Sequence, residues 1–330
     1  MDMRHLMTFG GTHTHNRGRA MCHHRPRSKL GSSPPSSHGG GYHPGGIMPK
    51  LAIYSSPTID EINAAIKRIA PDWRRLHCGG SGIGDDCERA IYYNFRWTTA
   101  PDHSGRILRL FRRGQLEEMV FVEDLRSSGV EVREGPSEGE QYKFSALNGH
   151  FGGSIDGLAL GIKEAPKTWH ILEFKTHSKK SFDDLIKKGV EKSKPVHFAQ
   201  MQTYMHLSKQ DGASGVGWAF YMAVCKDDDR LYTERVQYDR YYASEIMDKA
   251  KRIIFAEEPP RRISNKPDFY RCKWCDHYEV CHQDGVPEVN CRTCEHSEVR
   301  RPGWFCKKHN IAILPEKQKE GCSQYEMGEM

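Results

Sequence analysis

No run of about 18 consecutive apolar residues occurs in the 330-residue chain, which excludes a conventional membrane-spanning helix. The N-terminus lacks an apolar core ahead of a small-residue cleavage site, so no secretory signal is expected. No internal repeat is visible. A large excess of one charge sign is missing as well. The formal net charge is +6, but the first 47 residues hold six Lys/Arg against one Asp, and the remainder is close to neutral. An argument for a nucleic-acid partner must therefore rest on local patches and not on bulk charge. Cysteine, by contrast, is abundant: Cys22, Cys78, Cys87 and Cys225 are scattered, and seven more crowd the C-terminal end. Clustered Cys-x-x-Cys pairs without a secretion signal favour metal over disulfides.

Residues 1–47 are rich in Gly, Ser, Pro, His and Arg and poor in apolar residues, and are expected to be a disordered extension. The rival reading is a loose basic tail that touches nucleic acid. "MPKLAIYSS" from Met48 reads like a natural start. A main domain is expected over 48–285 and a Cys-rich module over 286–330. In the main domain, "SPTIDEINAAIKRIA" carries a helical stripe, Ile59, Ile62, Ile66 and Ile69, behind a Thr58/Glu61 capping box. "HSGRILRLFRRGQLEEMVFVEDLRSSG" is a second helix. "VEVRE" and "YKFSALN" are strands around a Gly/Pro/Ser turn. "GSIDGLAL" and "WHILEFKT" are two further strands joined by a polar turn. A helix over "HFAQMQTYMHLSKQ", an apolar strand over "GVGWAFYMAVCK" and a helix over "SEIMDKAKRIIFAEEPP" complete an α/β domain.

Acids sit where strands should be buried. In "HILEFKT", alternation places Ile171, Glu173 and Lys175 on one face and Leu172 and Phe174 on the other. Asp156 lies on the preceding strand, which can pair with this one as a hairpin. Two carboxylates on adjacent strands form a hard-oxygen site suited to Mg²⁺ or Mn²⁺. A neighbouring lysine can hold a water and stabilise charge on a phosphate, the logic of phosphodiester hydrolysis. The bland alternative is a Glu–Lys pair on a solvated sheet face. Three further features accompany the triplet. Gly114 and Glu118 have helical spacing before it. Gln200 and Tyr204 are four apart on one helix face after it, with Gln202 off that face. Glycines at 152, 153 and 157 flank Asp156 and leave room for close approach of a ligand.

The ordered set Gly114/Glu118, Gly153-Ser-Ile-Asp156-Gly157, Glu173-Phe-Lys175 and Gln200-x-x-x-Tyr204 resembles the PD-(D/E)XK nuclease superfamily, in particular its RecB-like exonuclease branch. The resemblance covers roughly residues 75–285. It implies a restriction-endonuclease-like core, with a mixed central sheet flanked by helices. It implies that Asp156 and Glu173 ligate the metal and that Lys175 serves the attacking water. Glu118 would support metal binding, and Gln200 and Tyr204 would orient the site or the DNA. Here "PD" is replaced by "ID". Some relatives use a histidine ligand, and His150 is a candidate for that place.

Cys272, Cys275 and Cys281 need a fourth ligand. Cys87, followed by Glu-Arg and paired aromatics, resembles the iron–sulfur staple of RecB-like nucleases, which implies a structural 4Fe–4S cluster on Cys87, Cys272, Cys275 and Cys281. The alternatives are zinc held with His277 or His282, and Cys78 in place of Cys87. The second set, Cys291, Cys294, Cys306 and Cys322, fits a tetrahedral zinc site in a ribbon-like module too small to fold on its own core. His296 and His309 are alternative ligands there. The lysine-rich run 176–198 is either a solvated helix or a phosphate track, and Lys179, Lys180, Lys187 and Lys188 are the residues that would show which.

The expected function is a Mg²⁺- or Mn²⁺-dependent DNA exonuclease, acting on a DNA end or single strand. The implied setting is recombination, repair or phage DNA metabolism, in the cytoplasm of a bacterium or phage-infected host. A helicase or a recombinase/annealing protein is a candidate partner. The alternatives are a structure-specific endonuclease or nickase of the same fold, and a metal-stapled DNA-binding recombination partner without catalysis. An inactive relative would normally lose Asp156, Glu173 or Lys175, and all three are present.

Overall fold

A computed structural model describes residues 56–330, apart from 73, 101 and 211–214. The segment 1–47, expected to be disordered, and the expected start at Met48 lie outside the described residues. The elements in chain order are α1 (Pro57–Arg68), β1 (Cys78–Gly79), α2 (Glu88–Arg96), α3 (Gly105–Ser127), β2 (Glu131–Arg133), β3 (Lys143–Ala146), β4 (Phe151–Ser154), β5 (Gly157–Leu160) and β6 (His170–His177). Then come α4 (Lys179–Ser193), α5 (Pro195–Gln210), β7 (Trp218–Cys225), β8 (Leu231–Gln237) and α6 (Arg240–Ile254). The Cys-rich end adds α7 (Tyr278–His282), β9 (Ser297–Arg300), β10 (Gly303–Cys306) and β11 (Ile311–Ile313).

The central sheet has the order β2-β5-β6-β7-β8 and is mixed: β6 and β7 run parallel, and the other neighbours run antiparallel. The period of two on β6 divides the core. Leu172 and Phe174 pack against α3, where Phe121 stacks on Phe174 at 5.0 Å. Ile171 packs on the opposite face against Phe182 and Leu185 of α4 and Met201 and Met205 of α5. This is a restriction-endonuclease-like α/β core. A third cluster joins α2, α6 and the C-terminal sheet through Tyr92, Phe95, Ile253 and Trp304. Residues Ser55–Met330 thus form one compact unit.

Several local expectations are corrected. "GSIDGLAL" is two strands and not one: β4 belongs to a small sheet of order β1-β4-β3, β5 belongs to the central sheet, and Asp156 stands at the break. The break falls at Gly157, whose φ of +151° is one that L side chains rarely adopt. β2 and β3 do not pair with each other across the Gly/Pro/Ser turn; β2 pairs with β5 and β3 with β4. Helix α1 starts at Pro57, with Ser56 as N-cap and no side-chain capping bond, because proline at the first position already fixes the helical φ. Glu61 pairs with Arg68 at 2.7 Å and not with a cap. The isoleucine stripe of α1 remains partly exposed, Ile69 at 80 %. Helix α2 and strand β8 were not foreseen.

Candidate active site

Strand β6 carries the site. Glu173 is fully buried and forms an ion pair with the Lys175 ammonium, which also donates to the Phe174 carbonyl oxygen at 3.1 Å. Apart from that ion pair, neither carboxylate oxygen of Glu173 meets a donor. A buried carboxylate so poorly compensated is expensive to keep ionised. Burial, reinforced by Asp156 and Glu118 and opposed by Lys175, pushes Glu173 up to about 7. Asp156 is fixed by the Phe174 backbone N–H, which donates to Oδ2 at 2.7 Å. Burial raises Asp156 against the opposing pull of Lys175 and that N–H. For Lys175, burial lowers the ammonium, but Glu173, Asp156 and Glu118 together outweigh it, and the net shift is upward.

Helix α3 brings Glu118 to the same place. Burial first, and then Asp156, push its carboxyl up to about 7. Helix α5 supplies Gln200 and Tyr204, both buried. Burial holds the Tyr204 phenol well above its ordinary value, so it is a neutral group at physiological pH. Glu118, Asp156, Lys175, Gln200 and Tyr204 line one cleft of about 720 Å³, with Glu173 buried beside Lys175. Gln202 lies elsewhere, as its spacing requires: its amide bonds the Gln237 carbonyl and the Asp239 N–H. Gly152 and Gly153 line the cleft, and the glycines also meet the protein's own groups closely. A Cβ on Gly153 would come within 2.3 Å of the Tyr204 hydroxyl, and one on Gly157 within 2.9 Å of the Arg133 carbonyl oxygen. They make room for the protein's own groups.

His150 is not with the carboxylates. Its ring is packed among Phe95, Phe255 and Trp304, and Nε2 lies 2.8 Å from the Arg300 carbonyl oxygen on β9. The expectation that it ligates the active-site metal is corrected: residue 150 precedes β4, and its side chain faces the C-terminal sheet. The cleft also holds residues that the sequence reading passed over. His197 is three residues before Gln200 and shares its helix face, and Gln115 precedes Glu118 by three; both were legible from helical spacing. Arg75 and Lys143 also line the cleft, and Arg75 Nη1 donates to the Ser81 hydroxyl at 3.0 Å. Nothing in the local sequence places Arg75 there. His197 is held down to about 3 by burial and then by Lys175, and its Nδ1 lies 2.9 Å from the Tyr221 hydroxyl.

The lysine run forms α4. Lys179 and Lys188 are engaged by Asp183 and Asp184 at 3.1 and 2.7 Å, so half of the proposed track is charge-paired.

The two cysteine sets each converge. Cys87, at the N-cap of α2, faces Cys272, Cys275 and Cys281 around a cavity of about 190 Å³. Burial, together with the charges of Cys87 and Cys281, raises the Cys272 and Cys275 thiols. His277 and His282 both line the same cavity, and the His277 Nδ1 lies 3.1 Å from the Thr99 hydroxyl. Cys78 is on β1, away from this cavity, and burial pushes its thiol up to about 12. Cys291, Cys294, Cys306 and Cys322 line a second cavity of about 310 Å³ with His296 and His309. Burial and then the other three thiols push Cys291 up to about 11. None of the described cysteines is in a disulfide. Among the described residues, no group of three or more His, Cys, Asp or Glu side chains is arranged to hold a single metal ion. None of the helices among them is long and apolar enough to cross a membrane.

The family model of the PD-(D/E)XK nuclease superfamily matches residues 86–282. The chain belongs to that superfamily. Among solved structures it is similar to an alkaline exonuclease, LHK-Exo, from Laribacter hongkongensis: 21% identity over 59% of this chain and 90% of that one, TM-score 0.39. The same protein in complex with dAMP gives 20% identity over the same shares, TM-score 0.38. A structure of SSO0001 gives 13% identity over 69% of this chain and 98% of that one, TM-score 0.40. At these TM-scores the likenesses bear on neither substrate nor mechanism. Among curated proteins, none matches the chain.

Proposed function

We propose that the protein is a divalent-metal-dependent DNA exonuclease. The observation that carries the reading is the buried Glu173 carboxylate, which meets no donor beyond Lys175 and lies in the electrostatic range of Asp156 and Glu118. Three carboxyls with raised proton affinity facing one cation form a donor set that a divalent ion would relieve. Asp156 and Glu173 would hold the ion, and Glu118 would complete the acidic wall. When bound, Mg²⁺ or Mn²⁺ lowers the pKa of a water and neutralises charge on the scissile phosphate.

The chain's own residues do the rest. Lys175 stays protonated, so it acts as a hydrogen-bond donor that orients the attacking water and answers charge developing on the phosphate. The Phe174 N–H keeps Asp156 from rotating away. Gln200 and the neutral Tyr204 line the same cleft, and Arg75 and Lys143 offer cationic contacts to the DNA backbone.

In the same reading Cys87, Cys272, Cys275 and Cys281 hold a 4Fe–4S cluster. The cluster would tie α2 to the segment after α6. Four thiols around one cavity, two of them (Cys272 and Cys275) raised first by burial, support this, and zinc with His277 or His282 is the competitor. Cys291, Cys294, Cys306 and Cys322 hold zinc. The setting is DNA recombination, repair or phage DNA metabolism inside the cell, with a helicase or annealing protein as candidate partner.

The test is digestion of linear and circular DNA with Mg²⁺ or Mn²⁺, beside Asp156→Ala and Lys175→Ala. Loss of linear DNA alone, abolished in both variants, is expected. Cleavage of closed circles would move the reading to an endonuclease. Equal activity in wild type and variants would remove the catalytic assignment.

A further inference from the structure

Arg292 is fully buried, and its guanidinium donates to no carboxylate. It lies in the turn between Cys291 and Cys294, locked by reciprocal Asn290–Thr293 capping bonds. Two sets of bonds leave it. Nε and Nη2 donate to Gln318 Oε1 at 3.0 and 2.7 Å, which binds the other half of the second cysteine set, the loop running to Cys322. Nη1 donates to the Phe95 carbonyl at 2.7 Å and Nη2 to the Leu76 carbonyl at 2.8 Å, both in the nuclease core. The guanidinium also stands 3.7 Å over the Trp97 ring.

Trp97 extends the grip by one residue: its Nε1–H donates to the Arg75 carbonyl at 2.9 Å. Two successive carbonyls are therefore held, Leu76 directly by Arg292 of the C-terminal module and Arg75 by Trp97, on whose ring Arg292 rests. Their neighbours in sequence, Arg75 and His77, present side chains to the catalytic cleft. The following residues enter β1, which pairs with β4 just before Asp156. His150 ties the start of β4 to β9 through the Arg300 carbonyl. Burying an arginine without a counter-ion is costly, and a simple cap on the fold could be built from apolar groups at lower cost. The arrangement gives the cost a purpose: a rigid link from the cysteine set to one wall of the cleft.

We propose that Arg292 is a positioning residue that couples the state of the second cysteine set to the Arg75–His77 wall, and through it to the grip on DNA. This rests on the nuclease reading. When the turn between Cys291 and Cys294 loosens, as it would on loss of a metal held by the set, the Leu76 carbonyl loses its donor. The cationic wall then loses its place while the carboxylates on β6 keep theirs.

The experiment uses the full chain. Affinity for a linear duplex is measured with Ca²⁺ in place of Mg²⁺, and kcat is measured at saturating DNA. Arg292→Met is expected to weaken binding about tenfold, as loss of charge-assisted bonds predicts, with kcat within about twofold of wild type. Arg292→Lys falls between. Cys294→Ser is expected to weaken binding similarly, and the double variant to be no weaker than either single one, because both act through one link. A merely structural role predicts that kcat and affinity fall together, in step with the folded fraction, and that the two losses add; either result overturns the proposal. If Arg292→Met does not fold, Trp97→Phe decides: it removes the bond to the Arg75 carbonyl and shrinks the ring under the Arg292 guanidinium, and unchanged affinity in it overturns the coupling. A wild-type protein that neither binds nor digests DNA overturns the nuclease reading instead.

Discussion

The Phe174 backbone N–H donates to Asp156 Oδ2 at 2.7 Å, so the carboxylate at the break between β4 and β5 is aimed by the strand that carries Glu173 and Lys175. Asp156→Asn keeps an oxygen to accept that bond and removes the charge. The expected outcome is a folded protein with at least about a hundredfold lower kcat, from loss of metal-linked electrostatics. Steady-state kinetics beside a melting curve check it. A variant that loses activity only because it unfolds would point to a structural role.

Stability should depend on pH through Glu173. Its folded pKa of about 7 lies above the ordinary 4.5, so the folded state holds this proton more tightly than the unfolded chain. The associated stability is full at low pH and is lost as pH rises from about 4.5 to about 7, on the order of 3 kcal/mol. Glu173→Gln mimics the protonated form. In EDTA it should melt several degrees above wild type at pH 8, and the difference should shrink toward pH 5. Equal melting temperatures at pH 8 would mean that the buried charge is compensated in some other way.

The same carboxyls make ion binding a proton-releasing event. Glu118 and Glu173, both raised to about 7, must lose their protons to act as anionic ligands or supports. Mn²⁺ affinity should therefore climb between pH 6 and 8 and level off above. Calorimetry in buffers of different ionisation enthalpy reads the protons released. An affinity that does not change with pH would exclude these two carboxyls from the site.

Gly153 gives a packing test. Gly153→Ala drives a methyl group to within 2.3 Å of the Tyr204 hydroxyl, an overpacking expected to cost about 1–3 kcal/mol. Tyr204→Phe in the same chain removes the clashing atom and should recover part of the loss. If Gly153→Ala leaves stability intact but weakens DNA binding, the glycine serves ligand clearance after all.

The cysteines divide by position. Cys87→Ser should abolish any visible absorbance of anaerobically purified protein and lower stability, because the first set joins α2 to residues far along the chain. Cys78→Ala should leave that absorbance unchanged, since Cys78 lies away from the cavity. A colourless wild type with stoichiometric zinc at both sets would replace the cluster by zinc.

The local chemistry of the site was legible because it follows from periodicity. The period of two on "HILEFKT" placed Glu173 beside Lys175 and divided Leu172 and Phe174 from Ile171, and the structure has the same division. The helical spacing of Gln200 and Tyr204 was equally local. What periodicity cannot carry is any relation across the chain. Asp156 fell at a break between two sheets, because strand pairing is settled by partners that are distant in sequence. The glycines around it were read as space for a ligand; Gly152 and Gly153 do line the cleft, and only the packed structure shows how closely Tyr204 also approaches Gly153 and the Arg133 carbonyl approaches Gly157. His150 was a candidate ligand because some relatives use a histidine, and the fold turns it to the Arg300 carbonyl instead. The sequence by itself determined which residue types sit on which face of each element. Tertiary structure alone decided which faces meet, because side-chain direction is set within a few residues, whereas the burial of Arg292 against Phe95, Leu76 and Trp97 depends on segments about 200 residues apart.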